Sequence, residues 1–504
     1  MPPNDIGHTE ARRRIQAAFD PQLLKAAGHR LADMLGEHIG RIEQSEGAVL
    51  NWREPQENVD LAAAKLDEPN DANQPAVEKF AQLVRLMLDR GLNLHNPRYI
   101  GHQVPAPVPI AGLFDAVGSV TNQVMAIYEM GPWSTSVEQA MVDKLGTLIG
   151  WPPGEFAGLV THGGSLANLT ALLTARNVAL GDTWEKGLSG SPAAAVLVAH
   201  GEAHYSVART AGILGLGTEQ IVHAELDERR RMDPQRLEET LRQLRVENRP
   251  IVAVVACACA TPIGAFDSLE EIAEVCRRYE VWLHVDAAHG GAACLSRRHR
   301  HLVKGLDQAD SVVLDAHKML FVPGLCAFVF YRNREHRFEA FRQNAPYLFD
   351  PSAPGLAEFD SGLKTIECTK RAAVFGLWGV WSTFGQQLFA DMVDVTFELG
   401  TVLYEKLTQA EDFEPLHEPQ CNIVAFRHVP RQLRQATPGR LGAFQLDLRR
   451  EIVRSGAFYI VPTQKDGIGA LRTTIINPLT TPDHLDQLLE ELRREGQRLL
   501  ELSS

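Results

Sequence analysis

Three observations predict an α/β fold with a mostly parallel central sheet. Between Gly158 and Lys318, short apolar runs rich in Val, Ile and Ala alternate with stretches of helical spacing, the order that strand–helix–strand units produce. Two of those runs, Trp282-Leu-His-Val-Asp-Ala-Ala-His289 and Asp310-Ser-Val-Val-Leu-Asp-Ala-His-Lys-Met319, end on polar, reactive residues. Open α/β sheets place their ligand chemistry at such strand ends. Third, the turn Thr161-His-Gly-Gly-Ser-Leu-Ala-Asn168 joins an apolar run to a helix, so its glycines free the backbone to turn and the helix presents unpaired N–H groups to an anion.

In chain order, Leu23, Leu24, Ala27, Leu31, Leu35 and Ile39 recur at helical spacing and predict one or two amphipathic helices. The polar stretch Glu54 to Gln74, with Pro55 and Pro69, reads as a loop or boundary. Asn96 to Pro107 is extended and punctuated by proline. A helix is expected from Ser136 to Ile149 and another from Ser165 to about Leu180. Strands are expected at Ala193 to His200, Ile251 to Ala258 and Cys326 to Tyr331, with helices at Leu237 to Leu244 and Leu269 to Tyr279. Asn333 to Gly355, polar and proline-bearing, has the character of an active-site lid. Ala372 to Phe384 reads as a helix crossing to a small C-terminal α+β domain, in which Ala470 to Pro478 is a strand ending in a turn.

Composition narrows the function. With 45% hydrophobic and 22% charged residues the chain is globular, and 504 residues call for one large domain with smaller appendages. A net charge of −13 and a pI near 5.8 argue against nucleic acid or an acidic membrane as the main partner. The seven cysteines are scattered and odd in number, which is no disulfide framework. Cys257 and Cys259 alternate along one apolar strand with no second pair nearby, so they read as core residues and no metal is expected. No apolar run reaches membrane-span length, and Met-Pro-Pro-Asn-Asp-Ile-Gly-His lacks the order of a signal peptide. The protein is expected to be soluble and cytoplasmic.

Asp286 and Lys318 come out at one edge of the predicted sheet. A carboxylate and a lysine so placed suit pyridoxal 5'-phosphate, whose aldehyde needs an amine and whose ring nitrogen needs an acid; a desolvated lysine gives up its proton more readily. Taken singly, each residue is more often a structural ion pair or a solvated side chain.

These residues, with further segments from about Asn96 to Pro478, resemble the group II pyridoxal-phosphate-dependent amino-acid decarboxylases, the glutamate and aromatic amino-acid decarboxylase family. The resemblance implies a type I, aspartate aminotransferase-like fold working as a homodimer. Residues 1–94 would form a helical dimerisation segment, 95–375 a large cofactor-binding domain and 376–504 a small C-terminal domain. It implies that Lys318 anchors the cofactor, Asp286 keeps the ring nitrogen protonated, and His204 stacks on the ring opposite Ala288. Gly163, Gly164, Ser165, Ser311 and His317 would hold the phosphate, and Thr261 would lie near the cofactor. Arg472 would grip the substrate carboxylate, and Tyr347, on a closing loop, would return a proton to the α-carbon.

The chain departs from the family pattern in three places. Pro97-Arg98-Tyr99 is kept, but Gly101-His102-Gln103 and a run of prolines follow, leaving His102 and Gln103 as candidate substrate contacts. Cys259, Ala260 and Pro262 replace the usual Gly and Thr neighbours of Thr261. Asp315 stands where Asn is common; a carboxylate facing a phosphate is unfavourable, so Asp315 is expected to point elsewhere or pair with a cation. The implied reaction is α-decarboxylation of an L-amino acid to its amine and carbon dioxide. Small acidic substrates (glutamate, aspartate, cysteine sulfinate) come first, with 2,4-diaminobutyrate or a neutral amino acid open. Another lyase or an aminotransferase on the same fold, or a cofactor-binding protein without catalysis, are the rival readings.

Overall fold

The computed structural model describes residues 3–69, 73–188, 194–341 and 358–502. They fall into two compact units. The larger comprises Gly101–Gln445 and Val461–Pro478, the smaller Met1–Ile100, Leu446–Ile460 and Leu479–Ser504.

The larger unit is built on an eight-stranded sheet. Its strands run, side by side, Ala157–Thr161, Ala327–Tyr331, Ser311–Asp315, Leu283–Asp286, Ile251–Ala260, Val196–His200 and Ile221–Ala224, with Ala265–Phe266 paired to the end of Ile251–Ala260. The five strands from Ser311–Asp315 to Ile221–Ala224 are mutually parallel, and the two at the other side join antiparallel. Every residue of Ala157–Thr161, Val196–His200, Leu283–Asp286, Ser311–Asp315 and Ala327–Tyr331 is buried. That is the cause of the unbroken apolar runs: a strand covered on both faces cannot alternate. The helix Gly164–Leu180 packs on this sheet, with Leu172, Ala171 and Ala175 in one core with Leu197, Val255 and Val329.

A second, four-stranded antiparallel sheet orders Phe413–Pro415, Ile423–His428, Ile468–Thr474 and Val461–Lys465. The long helix Phe375–Gln409, kinked at Gly385, precedes it. It begins three residues later than the sequence suggests and runs on past Phe384.

In the smaller unit, Met34 of the helix Pro21–Glu43 packs on Ala81 and Val84 of Ala76–Arg90, and Tyr99 stacks on Tyr459 at 5.3 Å between ring centres. One expectation fails here: the segment read as a loop from Glu54 contains the helix Pro55–Leu66. None of its residues is buried, so it lacks the apolar stripe that marks a helix in sequence. In the larger unit a helix at Pro109–Val120 follows the proline run. Proline serves as a first-turn residue at Pro21, Pro55, Pro109, Pro132 and Pro234, where its missing N–H costs nothing. Among the described residues, no helix is long and apolar enough to cross a membrane.

Candidate active site

A cavity of about 330 Å³ lies within the larger unit, at the carboxyl ends of the parallel strands. Asp286 is the last residue of Leu283–Asp286, Asp315 is the last of Ser311–Asp315, and Lys318 sits in the one-turn helix Ala316–Met319 that follows. Their side chains meet because adjacent parallel strands end at the same edge. Gly163, Gly164, Ser165, His204, Thr261, Ala288, His317 and Gln103 also line the cavity.

Lys318 Nζ lies 3.1 Å from Asp315 Oδ2, and the same oxygen is 3.7 Å from His317 Nε2. Burial pulls the lysine pKa down, but the carboxylates of Asp315 and Asp286 outweigh it, so the ammonium is held above its ordinary range. Asp315 thus pairs with a cation, and that cation is Lys318 itself. Its other oxygen, Oδ1, is buried without a hydrogen-bond partner. A methyl group on Gly164 would sit 2.6 and 2.8 Å from the two carboxylate oxygens. Glycine is needed there because the carboxylate stands directly against the turn.

Asp286 is fixed by hydrogen bonds of one consistent polarity. Ala288 N donates to Oδ1 at 3.2 Å and Asn168 Nδ2 donates to Oδ2 at 3.0 Å. Burial lowers the His284 pKa to about 4, so the ring is neutral: Nε2–H donates to Asn168 Oδ1 at 2.9 Å, and Nδ1 accepts from the Ser311 hydroxyl at 2.8 Å. Ser311 Oγ in turn accepts from the Trp282 indole N–H at 2.9 Å. Each donor is thereby aimed along the chain toward the carboxylate.

This arrangement corrects the expectation for Ser311. The residue opens its strand, four residues or about 13 Å of extended chain from Asp315. It does not line the cavity, and its hydroxyl is engaged with His284 and Trp282 rather than available to a phosphate. His204 does reach the cavity. Ser206 N–H donates to its Nδ1 at 3.3 Å and Ser206 Oγ lies 2.8 Å away, which leaves the ring proton on Nε2; burial lowers its pKa.

Comparison with known proteins gives this geometry a family. A model of the pyridoxal-dependent decarboxylase conserved domain matches residues 61–429. The acidic amino acid decarboxylase of Bos taurus is 31% identical over 453 residues, 88% of this chain and 85% of that protein. The cysteine sulfinic acid decarboxylase of Rattus norvegicus is 31% identical over 492 residues, 95% and 98% of the two chains. The crystal structure of mouse CSAD aligns with a TM-score of 0.86 at 30% identity, over 95% of this chain and 99% of that one. The chain belongs to the pyridoxal-dependent decarboxylases. Its fold is the type I fold of those enzymes, its cofactor is pyridoxal phosphate and its chemistry is that of a carboxy-lyase.

The cavity of this decarboxylase fits the cofactor at both ends of the ring. Lys318 supplies an amine and Asp286 a fixed carboxylate within one space. The first N–H groups of the helix Gly164–Leu180 have no acceptor within the helix and suit a phosphate. Gly163, at φ +107°, makes the turn that presents them.

Besides Ser311, two predicted residues of the decarboxylase stand otherwise than expected, and one cannot be placed. His102 is exposed and does not line the cavity, whereas its neighbour Gln103 does. Arg472 is buried and reaches the wall by donating from Nη1 to the Thr261 carbonyl at 2.7 Å, with its Nε left without a partner; it is not itself a lining residue. Tyr347 lies outside the described residues.

Sequence reasoning missed several lining residues, His289, His162, Asn168 and Cys259 among them. His289 is buried and donates from Nε2 to Asn422 Oδ1 at 2.9 Å. Burial takes its pKa to about 3, so Nδ1 is a bare acceptor with no partner. His162 lines the cavity beside the glycine turn, its Nδ1 2.8 Å from Glu367 Oε1, and that pairing lowers the Glu367 pKa. Asn168 was visible only as the end of the glycine turn. Cys259, which with Cys257 lines the cavity, has φ +83°. That left-handed backbone is one that glycine adopts without steric cost and a side chain does not.

Proposed function

We propose that the enzyme removes the α-carboxylate of a small acidic L-amino acid, with glutamate, aspartate and cysteine sulfinate as the candidates, and that it works as a cytoplasmic homodimer with residues 1–94 as its dimerisation segment. The observation that carries the substrate class is the likeness to acidic amino acid decarboxylases, and Arg472, buried at the Thr261 carbonyl with an unpartnered Nε, supports a guanidinium for the substrate carboxylate. A guanidinium so placed has donors left over for a carboxylate. Relatives 31% identical over most of the chain are named for acidic amino acids and cysteine sulfinic acid.

In this reading Lys318 is the covalent anchor, and Asp286, fixed in place by Asn168 and Ala288, keeps a proton on the ring nitrogen. When bound, pyridoxal phosphate supplies an electron-withdrawing ring that accepts the electron pair left by departing carbon dioxide. His204, with its proton on Nε2, covers one ring face and Ala288 the other. The turn Gly163 to Ser165 and His317 hold the phosphate. Arg472 orients the substrate, Gln103 contacts its side chain, and Tyr347 returns the proton to the α-carbon.

The test is to incubate the holoenzyme with each L-amino acid separately and identify products by mass spectrometry. An amine from one acidic amino acid, lost in Lys318→Ala, is the expected result. An amine only from 2,4-diaminobutyrate or a neutral amino acid would overturn the substrate class, and a keto acid or aldehyde as main product would overturn decarboxylation.

A further inference from the structure

A phosphate-binding corner ordinarily gathers donors and positive charge, yet this one already contains an anion. Asp315 is 2% exposed. Its carboxylate lies against Gly164, at the N-terminus of the helix Gly164–Leu180, close enough that a single methyl group on that glycine would collide with both oxygens. Its Oδ2 already holds the anchor lysine, with Lys318 Nζ at 3.1 Å, and His317 Nε2, a side chain assigned to the phosphate, lies 3.7 Å from the same oxygen. Oδ1 faces the same crowded wall with no donor. A negative charge at a helix N-terminus is favoured by the helix dipole, and that is part of what the turn would offer a phosphate.

We propose that Asp315 is an internal competitor for the phosphate cradle, one that sets cofactor affinity and keeps the cofactor exchangeable. Loading the cofactor separates Asp315 from Lys318 and brings a second anion to the corner the carboxylate holds. Both steps weaken binding relative to a neutral side chain, and only the second depends on the phosphate. Asp315 is therefore a positioning residue whose signature is discrimination between phosphorylated and unphosphorylated ligand. The proposal rests on the reading of Lys318 as anchor.

The experiment measures dissociation constants of pyridoxal phosphate and of phosphate-free pyridoxal for the wild-type protein, Asp315→Asn and Asp315→Ser, each prepared as holoenzyme and then stripped by dialysis. Folding is checked by circular dichroism. We expect both neutral variants to bind pyridoxal phosphate at least tenfold more tightly than wild type, to release it more slowly, and to show at least a tenfold larger preference for pyridoxal phosphate over pyridoxal. Asparagine and serine differ in size and hydrogen bonding, so a variant that fails to fold leaves the other to decide. An unchanged preference in a folded variant overturns the proposal. Borohydride reduction and peptide mapping of the wild type separate the two levels of failure. With the cofactor on Lys318 and the preference unchanged, only the role of Asp315 falls; with the cofactor on another residue, the reading of the site falls and takes the proposal with it.

Discussion

Replacing Asn168 by leucine tests the polarity of the hydrogen bonds that hold Asp286. Leucine has the same heavy-atom skeleton as asparagine and is bulkier, so none of the effect comes from a cavity. The substitution removes the amide donor to Asp286 Oδ2, a buried bond of 3.0 Å to a charged group, and strands the His284 Nε2–H that Asn168 Oδ1 accepts at 2.9 Å. A hydrogen bond to a charge contributes about 1.5–3 kcal/mol and a buried donor left without a partner costs about 1–3 kcal/mol, so the expected loss is about 2.5–6 kcal/mol. Urea unfolding of the holoprotein, followed by tryptophan fluorescence, reads this as a shift in midpoint at fixed slope. Asn168→Asp should be worse than the leucine variant, because it sets a second carboxylate against Asp286 with no amide donor between them. A loss below about 1 kcal/mol for leucine, or an aspartate variant as stable as wild type, would refute the assigned directions of these bonds.

Three further outcomes are expected. His284 and His417 are depressed to about 4 and His289 to about 3, chiefly by burial, so the native protein stays unprotonated where the unfolded chain, with histidines near 6.5, takes up protons. Stability is then full above pH 6.5 and lost as pH falls toward 4, at about 4 kcal/mol per pH unit for three protons near pH 5. His417→Gln, which can still accept from Ala425 N–H, should flatten that slope by one proton in urea titrations run across pH; an unchanged slope would remove His417 from the account. Cys259→Gly should leave thermal stability within about 1 kcal/mol of wild type, since relief of the left-handed backbone offsets the lost thiol, whereas Cys259→Val should cost more than about 2 kcal/mol. Equal melting temperatures for the two variants would argue against strain at this position.

The strand ends bearing Asp286 and Lys318 were legible in sequence because strands buried on both faces leave unbroken apolar runs, and a charged residue closing such a run stands out. The glycine turn was legible for the same reason. Asn168 and His284 were not: each is a buried polar side chain among largely apolar neighbours, and no spacing rule marks the partner that satisfies it. Ser311 was misplaced because a family role was carried over without following the strand, whose four steps to Asp315 take it to the far edge. His102 and Gln103 are neighbours in a segment where only one of two successive side chains reaches the cavity, and sequence does not say which. The helix Pro55–Leu66 escaped because it buries nothing, although Pro55 at its first turn is a start signal when read with the alanines that follow.

The pairing of Ala157–Thr161 with Ala327–Tyr331 has a consequence for how this chain is made. The strand that leads into the glycine turn waits for its sheet neighbour until residue 331 has been synthesised, on the order of ten to thirty seconds later at ribosomal speed. Through that interval a strand that is buried throughout in the finished fold has an open edge, the kind of surface that nucleates aggregation. Nascent chains stalled or truncated before Tyr331 would therefore be the insoluble ones, and chaperone demand should fall sharply for chains that extend past it.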